Sequence, residues 1–295
     1  MTFSLLEKTV LAIIIIGALG SFFYEVVRRL RIVARGTGTL PLDRIPQRLI
    51  RTVKEVLFHR RVIGGRFWPG LMHGLVFWGF IVFGVVTLDH FATGFGTPLL
   101  SENQHHLYSI VVLPFSVLVI IGIGFLAYRR FILKPHTLGK ISLTSGIVAI
   151  FIFLLMVTYI YGEMSPPLLI AKVNWWLHAL LVLAFLVLIP KSKHLHLVFA
   201  PFNIFLRPFD TPDHDAVKID LEAPEEELDA MLEGLTHLSK NQTLDVFSCV
   251  ECGRCTDACP AHRGGGILNP KHHFMLDLRQ PLLDGGSTAV LDQIN

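Results

Sequence analysis

The chain has 295 residues, of which 52% are hydrophobic and only 17% charged, a composition too apolar for a soluble protein of this length. Its formal net charge of +3 does not indicate nucleic-acid binding, because the basic residues cluster between apolar stretches as they do in membrane proteins. These properties predict an integral membrane protein.

Five apolar stretches are each long enough to cross a bilayer as a helix, which takes about 20 residues. They cover residues 9–27, 67–91, 107–128, 141–161 and 173–189. The first stretch has neither a basic start nor a small-residue cleavage site, so we predict a retained anchor and not a signal peptide.

The orientation of these spans is predicted from the positions of Lys and Arg. Most of them lie after the first, third and fifth stretches, in segments 28–66, 129–140 and 191–193, whereas loops 92–106 and 162–172 carry almost none. Basic segments stay inside. We therefore expect a prokaryotic cytoplasmic membrane protein with its N-terminus outside. An aromatic belt is predicted at the outer interface, formed by Tyr159, Tyr161, Trp175 and Trp176.

Histidines inside the spans are unusual, because an ionisable ring in hydrocarbon is costly and usually functional. The second span holds His73 and His90, and the fifth holds His178 with His196 at its exit. In antiparallel helices that rise about 1.5 Å per residue, His73 is level with His196 and His90 is level with His178. This arrangement predicts one or two b-type haems, each held by two histidines.

Helix angles favour His196 over His194, because His178 and His196 are five full turns apart on a continuous helix. His73 and His90 differ by about 100° around their helix, so on a straight helix they do not both face the fifth span. His90 is alternatively an interfacial side chain hydrogen-bonded beside Asp89, and His73 a helix-contact residue. The remaining candidates are expected in loops or near headgroups, with His106 in reserve as a partner of His178: His59, His105, His106, His136 and His194.

Beyond the fifth span the composition becomes more polar. Segment 200–212 is rich in Pro and Phe and predicts an interfacial exit, and segment 221–239 has the acidic, amphipathic pattern of a short helix. A Gly-rich turn at 263–266 precedes a predicted helix from Pro270 to about Leu278. We predict three parts: a membrane domain (1–200), a linker (201–240) and a metal-binding segment (241–295).

All the cysteines of the chain lie in one run, Cys249, Cys252, Cys255 and Cys259, which is followed by Pro260. The C-x2-C-x2-C-x3-C-P spacing is that of a [4Fe–4S] site, in which the fourth cysteine commonly ligates a second cluster. Structural zinc usually pairs two separated ligand elements, and a disulfide is not expected in a reducing cytoplasm. The run therefore predicts an electron-transfer protein.

Several motifs resemble known families. The five spans and the sequence KHLHLVFAP (193–201) resemble the gamma-subunit cytochrome b of respiratory nitrate reductase, and CVECGRCTDACPA (249–261) resembles heterodisulfide reductase-like iron–sulfur proteins. Fusions of the two include electron-transfer-flavoprotein:menaquinone oxidoreductases, whose second span is similar to GLMHGLVFWGF (70–80). The resemblance implies an all-α, five-helix transmembrane bundle with a small, cytoplasmic, ferredoxin-like iron–sulfur segment.

The resemblance also implies an electron route. Electrons enter at the cluster from a soluble electron-transfer flavoprotein or heterodisulfide reductase-like protein, pass the inner haem at His73 and His196, and reduce membrane menaquinone. Quinol oxidation that feeds a cytoplasmic reductase uses the same cofactors, and a non-enzymatic redox sensor or anchor is the alternative of another class. Fused relatives of this type continue into a second cysteine motif, so we expect a partner that completes the clusters, unless all four cysteines bind one cube.

Overall fold

A computed structural model describes residues 2–135, 138–139, 141–209, 224, 238–266 and 269–285. Within them the regular structure is helical, with no strand, and five helical segments are long and apolar enough to cross a membrane. The predictions of an all-α protein and of five candidate spans are confirmed for these residues. The chain forms two compact units, residues 1–23 with 54–192 and residues 24–53 with 193–295.

The first unit contains most of the first candidate span and all of the other four, and those four pack against their neighbours in sequence. Its helices are α1 (Leu5–Arg35, up to Phe23), α3 (Arg60–Gly65), α4 (Phe67–Phe95), α5 (Glu102–Tyr128), α6 (Leu143–Glu163) and α7 (Leu168–Leu188). α4 and α5 approach closely, since a Cβ on Gly122 would lie only 2.8 Å from the Met72 carbonyl oxygen. Small residues permit such contacts between membrane helices.

Two clusters of buried side chains hold the first unit together. Leu11, Trp175 and Ala179 join α1 to α7, and Phe83, Val112, Val119, Met156 and Tyr159 join α4, α5 and α6. The described spans nevertheless expose many large apolar side chains, for example Leu88 and Ile110. This distribution fits helices whose outer surfaces face lipid.

The second unit contains the end of α1 and the remaining helices. These are α2 (Ile45–Val56, up to Val53), α8 (His196–Leu206), α9 (Lys240–Ser248), α10 (Arg254–Ala258), α11 (Pro260–Arg263) and α12 (Asp277–Gly285). Its core includes Phe199 of α8, Phe247 of α9 and Leu282 of α12. The turn after α1 is joined to the start of α9 by two backbone hydrogen bonds of Thr37, one from its N–H to Leu238 and one from Lys240 to its carbonyl.

One sequence expectation about the fifth span is wrong. α7 ends at Leu188, short 3-10 turns cover Ile189–Lys191 and Lys193–Leu195, and α8 begins at His196. Pro190 accounts for the interruption, because proline lacks the N–H that a continuing helix needs. The argument that placed His178 and His196 on one face required a continuous helix and does not apply.

The C-terminal predictions have mixed outcomes. Helical structure begins at Pro270 as predicted, but it continues past Leu278 through a π-helical turn (His272–Leu276) and α12 to Gly285. The exit segment is helical as far as Leu206. Of the predicted acidic helix (221–239), only Pro224, Leu238 and Ser239 are among the described residues, so that prediction lies outside the described part of the chain.

Candidate electron-transfer sites

Two of the predicted haem histidines meet inside the first unit. The ring centroids of His90 on α4 and His178 on α7 are 5.0 Å apart, with the ring planes inclined by 63°. Trp175, one turn before His178, stacks on His90 at 4.5 Å, and its carbonyl oxygen is 3.2 Å from His90 Nε2. The structure therefore brings His90 and His178 together among aromatic side chains.

Thr158 of α6 fixes the His178 ring. The Thr158 hydroxyl donates to the Leu154 carbonyl (2.8 Å), so its oxygen accepts the Nδ1 proton of His178 (2.7 Å). Both side chains are buried. This hydrogen bond leaves the lone pair of His178 on Nε2, which is the arrangement that metal-ligating histidines usually show. Sequence reasoning missed Thr158, because one Thr in an apolar span carries no signal of its own.

The His90–His178 pair fits haem ligation by residue type and level. A haem held by two histidines would have to lie between their rings, each ring binding through one nitrogen. The rings are in direct contact here, and His90 Nε2 is next to the Trp175 carbonyl, so His90 has to shift for that nitrogen to bind iron. The Asp89 carboxylate accepts hydrogen bonds from the backbone N–H groups of Leu99 and Leu100. These bonds differ from the hydrogen bond beside Asp89 that the sequence analysis considered for His90.

His73 lies beside a second histidine that the sequence placed in a loop. His59 is only 4% exposed, and its ring centroid lies 5.1 Å from that of His73 and 4.6 Å from that of Phe77. Burial lowers the pKa of His59, which favours its neutral form. His59 does lie in the loop between α2 and α3, but its side chain is buried, so the expectation of a solvated ring is wrong. The only feature of the sequence that indicated burial is the preceding apolar run of Val56, Leu57 and Phe58.

The other histidines lie as follows. His196 belongs to the second unit, where its Nδ1 is 2.9 Å from the Lys193 carbonyl and its ring is 5.8 Å from that of His194. An Nδ1–H bond to that carbonyl leaves the lone pair of the His196 ring on Nε2. His105 lies 3.8 Å from Glu163, and His106 is exposed at the start of α5. His136 lies outside the described residues.

The cysteine run forms a turn between α9 and α11. Cys249 follows α9, Cys252 is half-buried, Cys255 is exposed in α10, and Cys259 precedes α11. Glu251 and Gly253 have positive φ angles of 60° and 75°, so the chain turns sharply between the first two cysteines. Such a turn is needed for closely spaced thiolates to approach one another.

Arg279 of α12 holds this turn in place. Its guanidinium donates to Glu251 Oε1 (3.0 Å) and to the Cys249 carbonyl oxygen (2.9 Å). Burial raises the pKa of the Cys249 thiol, while the Glu251 N–H, 3.4 Å from Sγ, and the Arg279 charge favour the thiolate. Sequence analysis did not identify Arg279, which lies 20 residues beyond the last cysteine.

The cysteine run fits an iron–sulfur cluster by donor type, and an N–H···S bond to Cys249 is already formed. Among the described residues, however, no three His, Cys, Asp or Glu side chains are arranged to hold a metal ion. The thiols therefore supply the ligands without yet converging on one centre.

Comparison with curated proteins gives two distant relatives. The "Probable iron-sulfur-binding oxidoreductase FadF" of Bacillus subtilis (strain 168) is 28% identical over an alignment of 300 positions, which covers 91% of this chain and 42% of the relative. The "EtfAB:quinone oxidoreductase" of Syntrophomonas wolfei is 25% identical over an alignment of 252 positions, which covers 72% of this chain and 35% of the relative. The chain is a distant homologue of both. It spans less than half the length of either.

No family model matches the chain, and no solved structure matches it. The two relatives support an oxidoreductase like those that link an electron-transfer flavoprotein to quinone. They also support the prediction of iron–sulfur binding, since one of them is named for it.

Proposed function

We propose that the chain is the membrane-embedded electron-transfer part of a quinone-linked oxidoreductase. In this role it passes electrons between a cytoplasmic electron-transfer flavoprotein or iron–sulfur protein and menaquinone in the prokaryotic inner membrane. The observation that carries the proposal is the pairing of a C-x2-C-x2-C-x3-C-P run with the contact between His90 and the buried His178 on apolar spans, in a homologue of a named quinone oxidoreductase.

The second unit supplies the cluster ligands in this proposal. Cys249, Cys252 and Cys255 bind one [4Fe–4S] cluster, and Cys259 binds the same cluster or a second one. The Arg279 guanidinium and the Glu251 N–H face the Cys249 end of the turn, where they stabilise negative charge on the thiolate.

In this proposal the spans supply three of the haem ligands, and His196 at the start of α8 supplies the fourth. His90 and His178 are proposed for an outer b haem, with Thr158 orienting His178, and His73 and His196 for an inner one. When bound, these haems and clusters supply one-electron chemistry, whereas quinone takes up two electrons and two protons to become quinol. His178 is buried, and its bond to Thr158 would leave Nε2 as the nitrogen that binds iron.

Two alternatives use the same residues. Quinol oxidation that feeds a cytoplasmic heterodisulfide, sulfite or nitrate-type reductase reverses the direction without changing a ligand. A redox sensor or anchor needs the cluster and no haem. The names of the curated relatives favour an oxidoreductase over the sensor or anchor, because both are named oxidoreductases and one names quinone.

The test uses the full chain in nanodiscs that contain a menaquinone analogue. We expect a low-temperature EPR signal of a reduced iron–sulfur cluster and a b-type visible spectrum, and both should reoxidise when quinone is added. Cys252→Ser should abolish the signal of the first cluster, because it removes one iron bond, and quinone reoxidation of that cluster should be lost with it.

The matched controls separate the alternatives. Serine at Cys259 should leave the first cluster signal in place, because we assign that thiolate to a second cluster when one is present. Equal loss in all four cysteine variants means that one cube uses all four thiolates. A protein that shows a cluster but no haem spectrum and no response to quinone would support the sensor and contradict the proposal.

A further inference from the structure

α2 has its polar side turned inward and its apolar side turned outward. Arg48 is 1% exposed, whereas Ile45, Leu49, Ile50 and Val53 are 50%, 53%, 55% and 44% exposed. A surface helix of a soluble protein buries the opposite stripe. The apolar side of α2 therefore faces an environment other than the core of the second unit.

Two arginines fix this orientation. Arg48 donates to the carbonyl oxygens of Phe205 (3.0 Å) and Arg207 (2.9 Å) at the end of α8, and Arg51 also donates to both. Both guanidinium groups lie over the Phe209 ring, at 4.9 and 4.2 Å. The last carbonyls of a helix lack helical partners and attract cations. Rotating α2 to bury its apolar side would break these bonds.

Leu57, the residue that follows α2, is hydrogen-bonded to a helix that contains a candidate membrane span. Trp78 Nε1 donates to the Leu57 carbonyl oxygen at 2.7 Å, within the first unit. Trp78 lies 11 residues into α4, which is about 16 Å along its axis. Nine residues separate α1 from α2, and α1 and α4 both contain candidate spans. The ends of α2 are thus tied to two membrane helices.

Two cations follow this apolar stripe in the chain, one in the last turn of α2 and one just beyond it. Lys54 and Arg60, both exposed, line an open groove of about 620 Å³ with Phe58, Ile63 and Gly64. Apolar side chains beside Lys and Arg are typical of helices that lie at a bilayer surface, where the cations meet anionic lipid headgroups.

We propose that α2 is an interfacial helix of the bilayer, with Ile45, Leu49, Ile50 and Val53 among the acyl chains. The groove beside it binds the headgroup of an anionic phospholipid through Lys54 and Arg60. The hydrogen bond from Trp78 of α4 to Leu57 and the cations Lys54 and Arg60 favour lipid over a protein partner. A helix that docks a protein partner needs no attachment to a membrane-spanning helix. This inference does not depend on the electron-transfer role of the chain.

The test places the photocrosslinker p-benzoylphenylalanine at Leu49 in the full chain, in nanodiscs of phosphatidylcholine and phosphatidylglycerol. Gln47 is the matched control, because it is exposed and points about 160° away around the same helix. Mass spectrometry after illumination should show phospholipid adducts several-fold more abundant at Leu49 than at Gln47. Equal labelling at both positions, or a protein or quinone adduct at Leu49, would overturn the proposal.

A second arm tests the groove. Phosphatidylglycerol should be over-represented among the adducts relative to its share of the nanodisc, and Lys54→Gln with Arg60→Gln should remove that enrichment while total lipid labelling at Leu49 persists. Unchanged enrichment in the double variant would refute the headgroup site. Identical size-exclusion profiles of all variants show that folding is retained.

Discussion

At the scale of single residues, the candidate haem site depends on one hydroxyl. Thr158 links α6 to His178 on α7, and the Asn174 side chain donates to the Thr158 carbonyl at 2.9 Å. A buried ring without this acceptor would be free to choose either tautomer. With it, Nδ1 keeps the proton and Nε2 keeps the lone pair, so the tautomer needed for ligation is set before a metal binds.

We expect Thr158→Val to weaken haem binding by about 10–100-fold, because loss of an orienting partner has this effect on metal affinity. His178→Ala should remove the outer haem entirely, since it deletes an axial ligand. Haem per protein, measured by pyridine haemochrome, is the readout.

Thr158→Ser should restore binding, because serine keeps the hydroxyl, and His106→Ala should change nothing, because that side chain is exposed. A wild-type haem content in His178→Ala would refute the assignment.

At the scale of elements, helix ends explain the position of the buried arginines. α8 ends at Leu206, and Arg48 and Arg51 bind the carbonyls of Phe205 and Arg207 there. Asp43 pairs with Arg48 at 2.5 Å, and this hydrogen bond lowers the pKa of the Asp43 carboxyl. Asp43 itself is half-exposed, so solvent already stabilises its charge.

Arg48→Ala should destabilise the protein by about 1–3 kcal/mol, because it removes two part-buried hydrogen bonds to the end of α8 and leaves Arg51 as the donor to those carbonyls. Arg48→Lys should recover only part of the loss, since an ammonium group does not reproduce the planar fork of donors. The midpoint of thermal unfolding in detergent measures the change.

Asp43→Asn should lower that midpoint much less, because the carboxylate is half-exposed. Gln47→Ala, on the exposed side of α2, should leave it unchanged. An Arg48→Ala variant as stable as wild type would show that the cap contributes nothing measurable.

At the scale of the whole molecule, orientation in the membrane decides which compartment reaches the cysteines. Residues 28–66, from the end of α1 to the start of α4, carry ten of the sixteen arginines of the chain, and the loops around Gly96 and Ser165 carry almost none. The positive-inside rule therefore predicts that the basic segments lie in the cytoplasm. The cysteine run follows the fifth span and is predicted to lie there too.

Reporter fusions after Arg35 and Phe209 should be active only as cytoplasmic reporters, and fusions at Gly96 and Ser165 only as periplasmic ones. The measurement is paired alkaline phosphatase and green fluorescent protein activity at each position. A periplasmic reading after Phe209 would place the cysteines outside and overturn the proposed electron route.

The sequence by itself determined the five candidate spans and the donor types. Span length follows from the thickness of hydrocarbon, and the tight cysteine spacing specifies its ligand chemistry without knowledge of the fold. The closeness of His90 and His178 was also expected from their matching depths, because helical rise is nearly constant. Span length, cysteine spacing and depth along a helix each depend only on distances along the chain, so the sequence alone predicts them.

Tertiary structure decided which side chains support those ligands and which way α2 faces. Thr158, His59, Arg279 and Arg48 gain their roles from residues 14 or more positions away in the chain. α7 ends at Leu188, so the prediction that His178 and His196 project from one face of a single helix no longer applies. Hydrogen bonds between distant elements depend on packing in three dimensions, and periodicity in the sequence reports only the face of one element at a time.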